Sequence, residues 1–135
     1  MASIFTRIIN REIPGHIVAE NEEFIAFLDV RPMHEGHTLC VPKREVDYYY
    51  DLTDDELTAL TLFSKRVARG LKKAVPCKRI ANGVLGLEVP HAHLHLVPIR
   101  EEGDFRFGKV VPVTDERMEE LRREIADAID STGQD

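Results

Sequence analysis

The chain has 135 residues, 43% of them hydrophobic and 31% charged, and a formal net charge of −6 at pH 7. This suits one compact domain with its own core, residues 1–135, and it excludes the global basic field that draws proteins to nucleic acid or anionic lipid. No apolar run approaches the ~20 residues of a membrane span or makes a signal peptide, and Cys40 and Cys77 stand far apart outside any Cys-x-x-Cys pair, so the expectation is a cytoplasmic protein with reduced thiols and neither nucleic-acid nor membrane partners.

Residues 3–13 place Ile4, Phe5, Ile8 and Ile9 at helical spacing behind Ser3 as a cap, and Pro14–Gly15 stops the pattern. Two strands follow over 16–21 and 23–30, joined by a polar turn. The Pro- and Gly-bearing run 31–36 is a loop, and 37–42 is a third strand ended by Pro42. Thr53 with Glu56 three residues on is a capping box for a long helix. Its stripe of Leu57, Leu60, Val67, Leu71 and Ala74 runs to Pro76. Lys72–Lys73 and Lys78–Arg79 read as a solvated helix end and strand start. Strands follow at 78–84 and 91–99, the latter from strict alternation. An exposed loop spans 100–109. A second helix over 114–130 carries Met118, Leu121, Ile125, Ala128 and Ile129 on one stripe, and 131–135 is expected to fray. Tyr48, Tyr49 and Tyr50 have no interleaved basic residues, which makes a poor nucleic-acid platform. They are expected beneath the long helix or at a subunit interface. The order predicts an α+β fold: an antiparallel sheet of about five strands with helices on one side.

Residues 91–98 read HAHLHLVP. On a strand, His91, His93 and His95 share one face, about 6.5–7 Å apart, while Ala92, Leu94 and Leu96 turn to the core. Three imidazoles on the wet side of a strand are not explained by packing. Two chemistries use them. One is a metal site, with a further ligand from His34, His37 or Asp29. The other is metal-free nucleophilic catalysis at phosphorus: one neutral ring attacks, its neighbours fix its tautomer and bind phosphate oxygens, and their protonated forms offset the growing charge. Spacing alone does not choose between them.

HAHLHLVP resembles the signature of the histidine triad nucleotide-binding family, His-apolar-His-apolar-His followed by two apolar residues, here Leu96 and Val97. IFTRIINREIP, FIAFLDVRPMHEGHTLCVPK, the LTDDEL helix start and ANGVLGLEVPHAHLHL match that family's order and spacing. The likeness covers roughly residues 3–100 and leaves the loop and helix of 101–131 as an addition. It implies a domain that binds purine nucleotides, needs no cofactor, and cleaves or transfers at the α-phosphate through a nucleotidyl-histidine. His93 matches the nucleophile, His91 a residue that orients it, and His95 a phosphate ligand. His37 matches a supporting histidine on a neighbouring strand. Asp29 matches the carboxylate on the ribose hydroxyls, and Asn82 a polar residue near the phosphates. Ile4, Phe5, Ile8, Phe27 and Val30 match the base pocket. The resemblance further implies a homodimer, with nucleoside phosphoramidase or dinucleoside polyphosphate hydrolase activity.

Three departures qualify this. Gly-Gln-x-Val-x-His becomes Gly86-Leu87-Glu88-Val89-Pro90-His91. Leu87, Glu88 and Val89 are the positions this motif sets beside the nucleotide, and Leu87 replaces an amide that contacts phosphate. Glu88 puts a carboxylate near the leaving group. The structural zinc of many bacterial relatives has its ligand positions at Ser3, Thr6, Glu45 and His91; without the soft ligands no metal is expected. The competing expectations are a nucleotide-binding module with little turnover and a metal-dependent hydrolase.

Overall fold

The computed structural model describes residues 2–132, the side chains of Ser131 and Thr132 excepted. Five strands, β1 (Ile17–Glu20), β2 (Phe24–Leu28), β3 (Thr38–Pro42), β4 (Arg79–Gly83) and β5 (Leu94–Ile99), form one sheet in the order β1-β2-β3-β5-β4. Every neighbouring pair is antiparallel. The predicted α+β architecture is the observed one.

The pleat sorts side chains between two cores. On β2, Phe24, Ala26 and Leu28 join one cluster, and Ile25 and Phe27 join the other. The long helices α2 (Asp54–Ala74) and α3 (Asp115–Thr132) cover the first face with Leu60, Val67, Leu71, Leu121, Ile125 and Ile129. The short α1 (Ile4–Ile9) lies on the opposite face, where Phe5 and Ile8 pack on Ile25, Phe27, Leu39 and Val41. That second core sits directly beside the histidines.

The Thr53 capping box is formed: Glu56 N–H donates to Thr53 Oγ1 at 3.1 Å, and Thr53 N–H donates to Glu56 Oε1 at 2.9 Å, a cap worth about 1 kcal/mol. At Gly70 the two long helices touch backbone to backbone. A Cβ there would lie 2.7 Å from Ile129 N. Helix α1 ends at Ile9, short of the stop expected at Pro14–Gly15, and Arg11 then turns to φ 61°. Tyr49 enters a short 3-10 turn (Tyr49–Asp51) and packs on the helix-side core, while Tyr48 and Tyr50 are exposed. Of the segment expected to fray, helical backbone continues to Thr132, and residues 133–135 lie outside those described. Cys40 and Cys77 are free thiols. Among the described residues no helix is long and apolar enough to cross a membrane.

Candidate functional site

Strand β5 begins at Leu94, later than alternation predicts, so His91 and His93 precede the ladder. The ladder yields for a local reason. Pairing of β3 with β5 stops at Cys40 and Leu94. Beyond it, the Ala92 N–H donates to Val46 O at 2.6 Å, and the Pro42 carbonyl is taken by a side chain, His91 Nε2, at 2.7 Å. Nor is this face wet. His91, His93 and His95 are 0%, 6% and 8% exposed: Phe5 of α1 packs on the first two rings and Phe107 on the third. The Phe5 ring meets His93 edge-on, centroids 5.0 Å apart and planes at 84°.

These hydrogen bonds assign protons, since a carbonyl oxygen only accepts and a neutral imidazole carries one N–H. His93 Nδ1 lies 2.7 Å from His91 O, so Nδ1 holds the proton and Nε2 keeps a lone pair. His91 donates from Nε2 to Pro42 O, and its Nδ1 accepts from the Ser3 hydroxyl at 2.6 Å. In the loop that leads into β3, the Met33 N–H donates to His37 Nδ1 at 2.9 Å, which leaves the His37 proton on Nε2. That proton goes to His95 Nδ1, also 2.9 Å away, so His95 presents its own N–H at Nε2. His37 is delivered by a tight turn in which Gly36 adopts φ 91° and a Cβ would press within 3.0 Å of Val75 Cγ2.

Burial holds all four rings neutral. Desolvation first, then the neighbouring His93, lowers His37 to about 4. Desolvation, His37 and His93 lower His95 to about 3. His91 and His93 are also lowered, mainly by desolvation. The neighbours of His93 are therefore neutral N–H donors, a correction to the protonated forms expected from sequence. Asp29 is pushed up, chiefly by burial, although the Arg31 N–H donates to it at 2.9 Å and opposes the shift.

The rings of His93 and His95 line a cavity of about 320 Å³ together with His37 and Asp29. Ile4, Phe5 and Val30 form one wall, and Leu87, Glu88 and Val89 another. Val30 and Leu87 are rim residues, 74% and 84% exposed. Ile8 and Phe27 are core residues behind the Phe5 wall rather than lining. Asn82 is exposed on β4 opposite Leu96, outside the lining, and His91 is also set back from the cavity. Sequence reasoning missed Met33, Arg31 and the segment Phe107–Val110. Phe107 stands edge-on to His95 at 5.0 Å, and Lys109 adds a cation to the rim. The Phe-x-Phe alternation at 105–107 is the one signal that pointed there.

Two clusters bear on metal. Asp29, His37 and His95 bring one ligand atom each within 4.8 Å of one another. An ion on His37 Nε2 would move the ring proton to Nδ1, against the Met33 N–H that donates there. The cluster therefore fits a fixed hydrogen-bond chain better than a cation. Ser3, Thr6, Glu45 and His91 do converge: Glu45 Oε1 accepts from Ser3 N–H at 2.8 Å and from the Thr6 hydroxyl at 2.6 Å. Two neutral alcohols, one carboxylate and one ring nitrogen already engaged by a hydroxyl do not fit a structural zinc.

The family model described as HIT domain matches residues 10–102. A HIT-like protein of Methanocaldococcus jannaschii, named as uncharacterized, is 40% identical over 126 residues, covering 90% of this chain and 97% of its own length. An adenosine 5′-monophosphoramidase of Saccharomyces cerevisiae is 38% identical over 102 residues, covering 75% of this chain and 65% of its own length. The crystal structure of a hypothetical histidine triad nucleotide-binding protein from Sulfolobus tokodaii superposes with a TM-score of 0.84 at 32% identity, covering 94% of this chain and 91% of that one.

Proposed function

This chain belongs to the HIT-domain family, and from that premise we propose that it binds a purine nucleotide and hydrolyses or transfers it at the α-phosphate, through a covalent bond to His93. The single observation that carries the reading is the His93 Nδ1–His91 O hydrogen bond, which leaves the Nε2 lone pair free at the cavity. Nε2 attacks phosphorus, and the leaving group departs with the electron pair of the broken bond. Water then attacks the same phosphorus, releasing the nucleoside monophosphate and restoring the ring. The His95 Nε2–H, fixed by the Met33–His37 chain, donates to a phosphoryl oxygen as charge builds there. Asp29 accepts from the ribose hydroxyls, and Ile4, Phe5 and Val30 enclose the base. The similarity to the yeast adenosine 5′-monophosphoramidase supports a phosphoramidate as substrate, with a dinucleoside polyphosphate as the second class. The open outer edge of β4, at one end of the sheet, supports assembly as a homodimer, which light scattering after size exclusion tests.

The test is a panel of adenosine phosphoramidates and dinucleoside polyphosphates, run with chelator present and followed by intact-protein mass spectrometry. A transient adenylyl adduct on His93, with AMP as product, is expected, and His93→Ala abolishes both. Nucleotide binding with neither adduct nor product would make the protein a binding module. Activity lost to chelator and restored by zinc would make it a metal-dependent hydrolase.

A further inference from the structure

We infer that Glu45 is a positioning residue: acting through Ser3 and Thr6 at the start of α1, it sets the ring of His91 and, through the His91 carbonyl, the reactive tautomer of His93. The inference rests on the proposed reaction at His93. Glu45 lies in the segment between β3 and α2, far in sequence from both α1 and the triad. Its Oε1 accepts from Ser3 N–H at 2.8 Å and Thr6 Oγ1–H at 2.6 Å. Ser3 also caps α1, accepting from Thr6 N–H at 3.0 Å. The Ser3 hydroxyl proton is thereby left for His91 Nδ1 at 2.6 Å.

The consequence runs along one chain of contacts. His91 is fully buried, and its ring is held at both nitrogens, by Ser3 on one side and Pro42 O on the other. No β ladder fixes its backbone, since β5 starts at Leu94. Backbone bonds tie the flanking peptides, His91 N–H to Val89 O at 2.8 Å and Ala92 N–H to Val46 O at 2.6 Å, and the two ties of the His91 ring complete the placing of its carbonyl under His93 Nδ1 at 2.7 Å. If that acceptor moves away, the His93 proton can pass to Nε2, and the lone pair turns from the phosphate. Docking of α1 by the same carboxylate also seats Phe5 against the His93 ring. Glu45 itself does not line the cavity.

The experiment uses the full chain labelled with ¹⁵N at its histidine rings, in the wild type and in Glu45→Ala, Glu45→Gln, Ser3→Ala and Ser3→Thr. Ring-nitrogen NMR reads the tautomers, and single-turnover adduct formation with an adenosine phosphoramidate reads the chemistry. Wild type is expected to show His93 protonated at Nδ1. Glu45→Ala and Ser3→Ala are expected to show a mixed His93 tautomer and an adduct rate lower by roughly tenfold or more, as small misplacements of a reacting group produce. Glu45→Gln, which keeps an acceptor, and Ser3→Thr, which keeps the hydroxyl, are expected to stay within about threefold of wild type. If Glu45→Ala does not fold, the Ser3→Ala and Ser3→Thr pair decides the matter. A His93 tautomer unchanged in the alanine variants, or a changed tautomer without loss of rate, overturns the inference. A wild type that forms no adduct overturns the proposed reaction instead, and the tautomer comparison still reads the positioning role.

Discussion

Acidification should destabilise this protein well before its carboxylates titrate, and the cause should be the buried histidines. His37 titrates at about 4 and His95 at about 3 in the folded protein, against an ordinary value of 6.5. Both folded values are lowered, so the unfolded chain binds protons that the native state refuses. The contribution of these rings is therefore full only well above pH 6.5 and drains as pH falls through 6.5 toward 4 for His37 and 3 for His95. For each of the two rings the loss between pH 7 and pH 5 comes to about 2 kcal/mol, at a limiting slope of about 1.4 kcal/mol per pH unit. His91 and His93 are shifted the same way and steepen the slope. Two-ring losses of this size are a large share of the 5–15 kcal/mol typical of a domain. Urea unfolding by circular dichroism at half-unit steps from pH 7 to pH 5 measures it. His37→Gln, which keeps an acceptor for the Met33 N–H, should remove about one ring's worth of slope. A stability flat over that range, or a slope untouched by His37→Gln, would refute the assignment of neutral rings.

Three further outcomes are expected. Gly70→Ala pushes a methyl against the Ile129 backbone at 2.7 Å; it should lower stability by about 1–3 kcal/mol in chemical denaturation with little change in slope. Leu87→Gln, at a cavity-rim position 84% exposed, supplies the amide that the family motif carries there; if that position meets the phosphates, the adduct rate should rise by roughly tenfold with stability within about 0.5 kcal/mol, and no gain in rate would mean that Leu87 is not at the phosphate. Asp29→Asn keeps an oxygen for the Arg31 N–H but loses the charge; calorimetry should show adenosine monophosphate binding weakened by about 1.5–3 kcal/mol, with a smaller loss for the 2′-deoxy form.

What could be read from the sequence was local. The Thr53–Glu56 box, the stripes of α2 and α3, and the strand of 23–30 all report short-range physics that tertiary contacts left in place. The triad announced itself for the same reason: three like residues at period two are improbable as packing. The rest needed contacts between distant segments. Strict alternation over 91–99 predicts a strand from its first residue, but His91 spends its ring on Pro42 O where a ladder bond would stand. The face judged wet is dry because Phe5 of α1 and Phe107 of a distant loop cover its rings, and nothing within 91–95 records that. Phe107 and Lys109 reach the cavity from a loop whose polarity read as plain surface. The donor that settles the His37 tautomer is a backbone amide, Met33 N–H, and side-chain identity carries no trace of such a group.

That amide matters because it makes two neighbouring histidines opposite in character. His93 and His95 stand 4.9 Å apart, centroid to centroid, in the same neutral state. Yet one chain of bonds ends on a carbonyl and pins the His93 proton to Nδ1, while the other starts at an amide and pushes the His95 proton to Nε2. One ring thus offers a lone pair to the cavity and the other a proton, which is what attack at phosphorus followed by charge build-up on its oxygens requires. Burial alone could not make that distinction, since it lowers both rings alike. Moving either terminus, the His91 carbonyl or the Met33 amide, should convert a nucleophile–donor pair into two like rings, with no change in composition of the site.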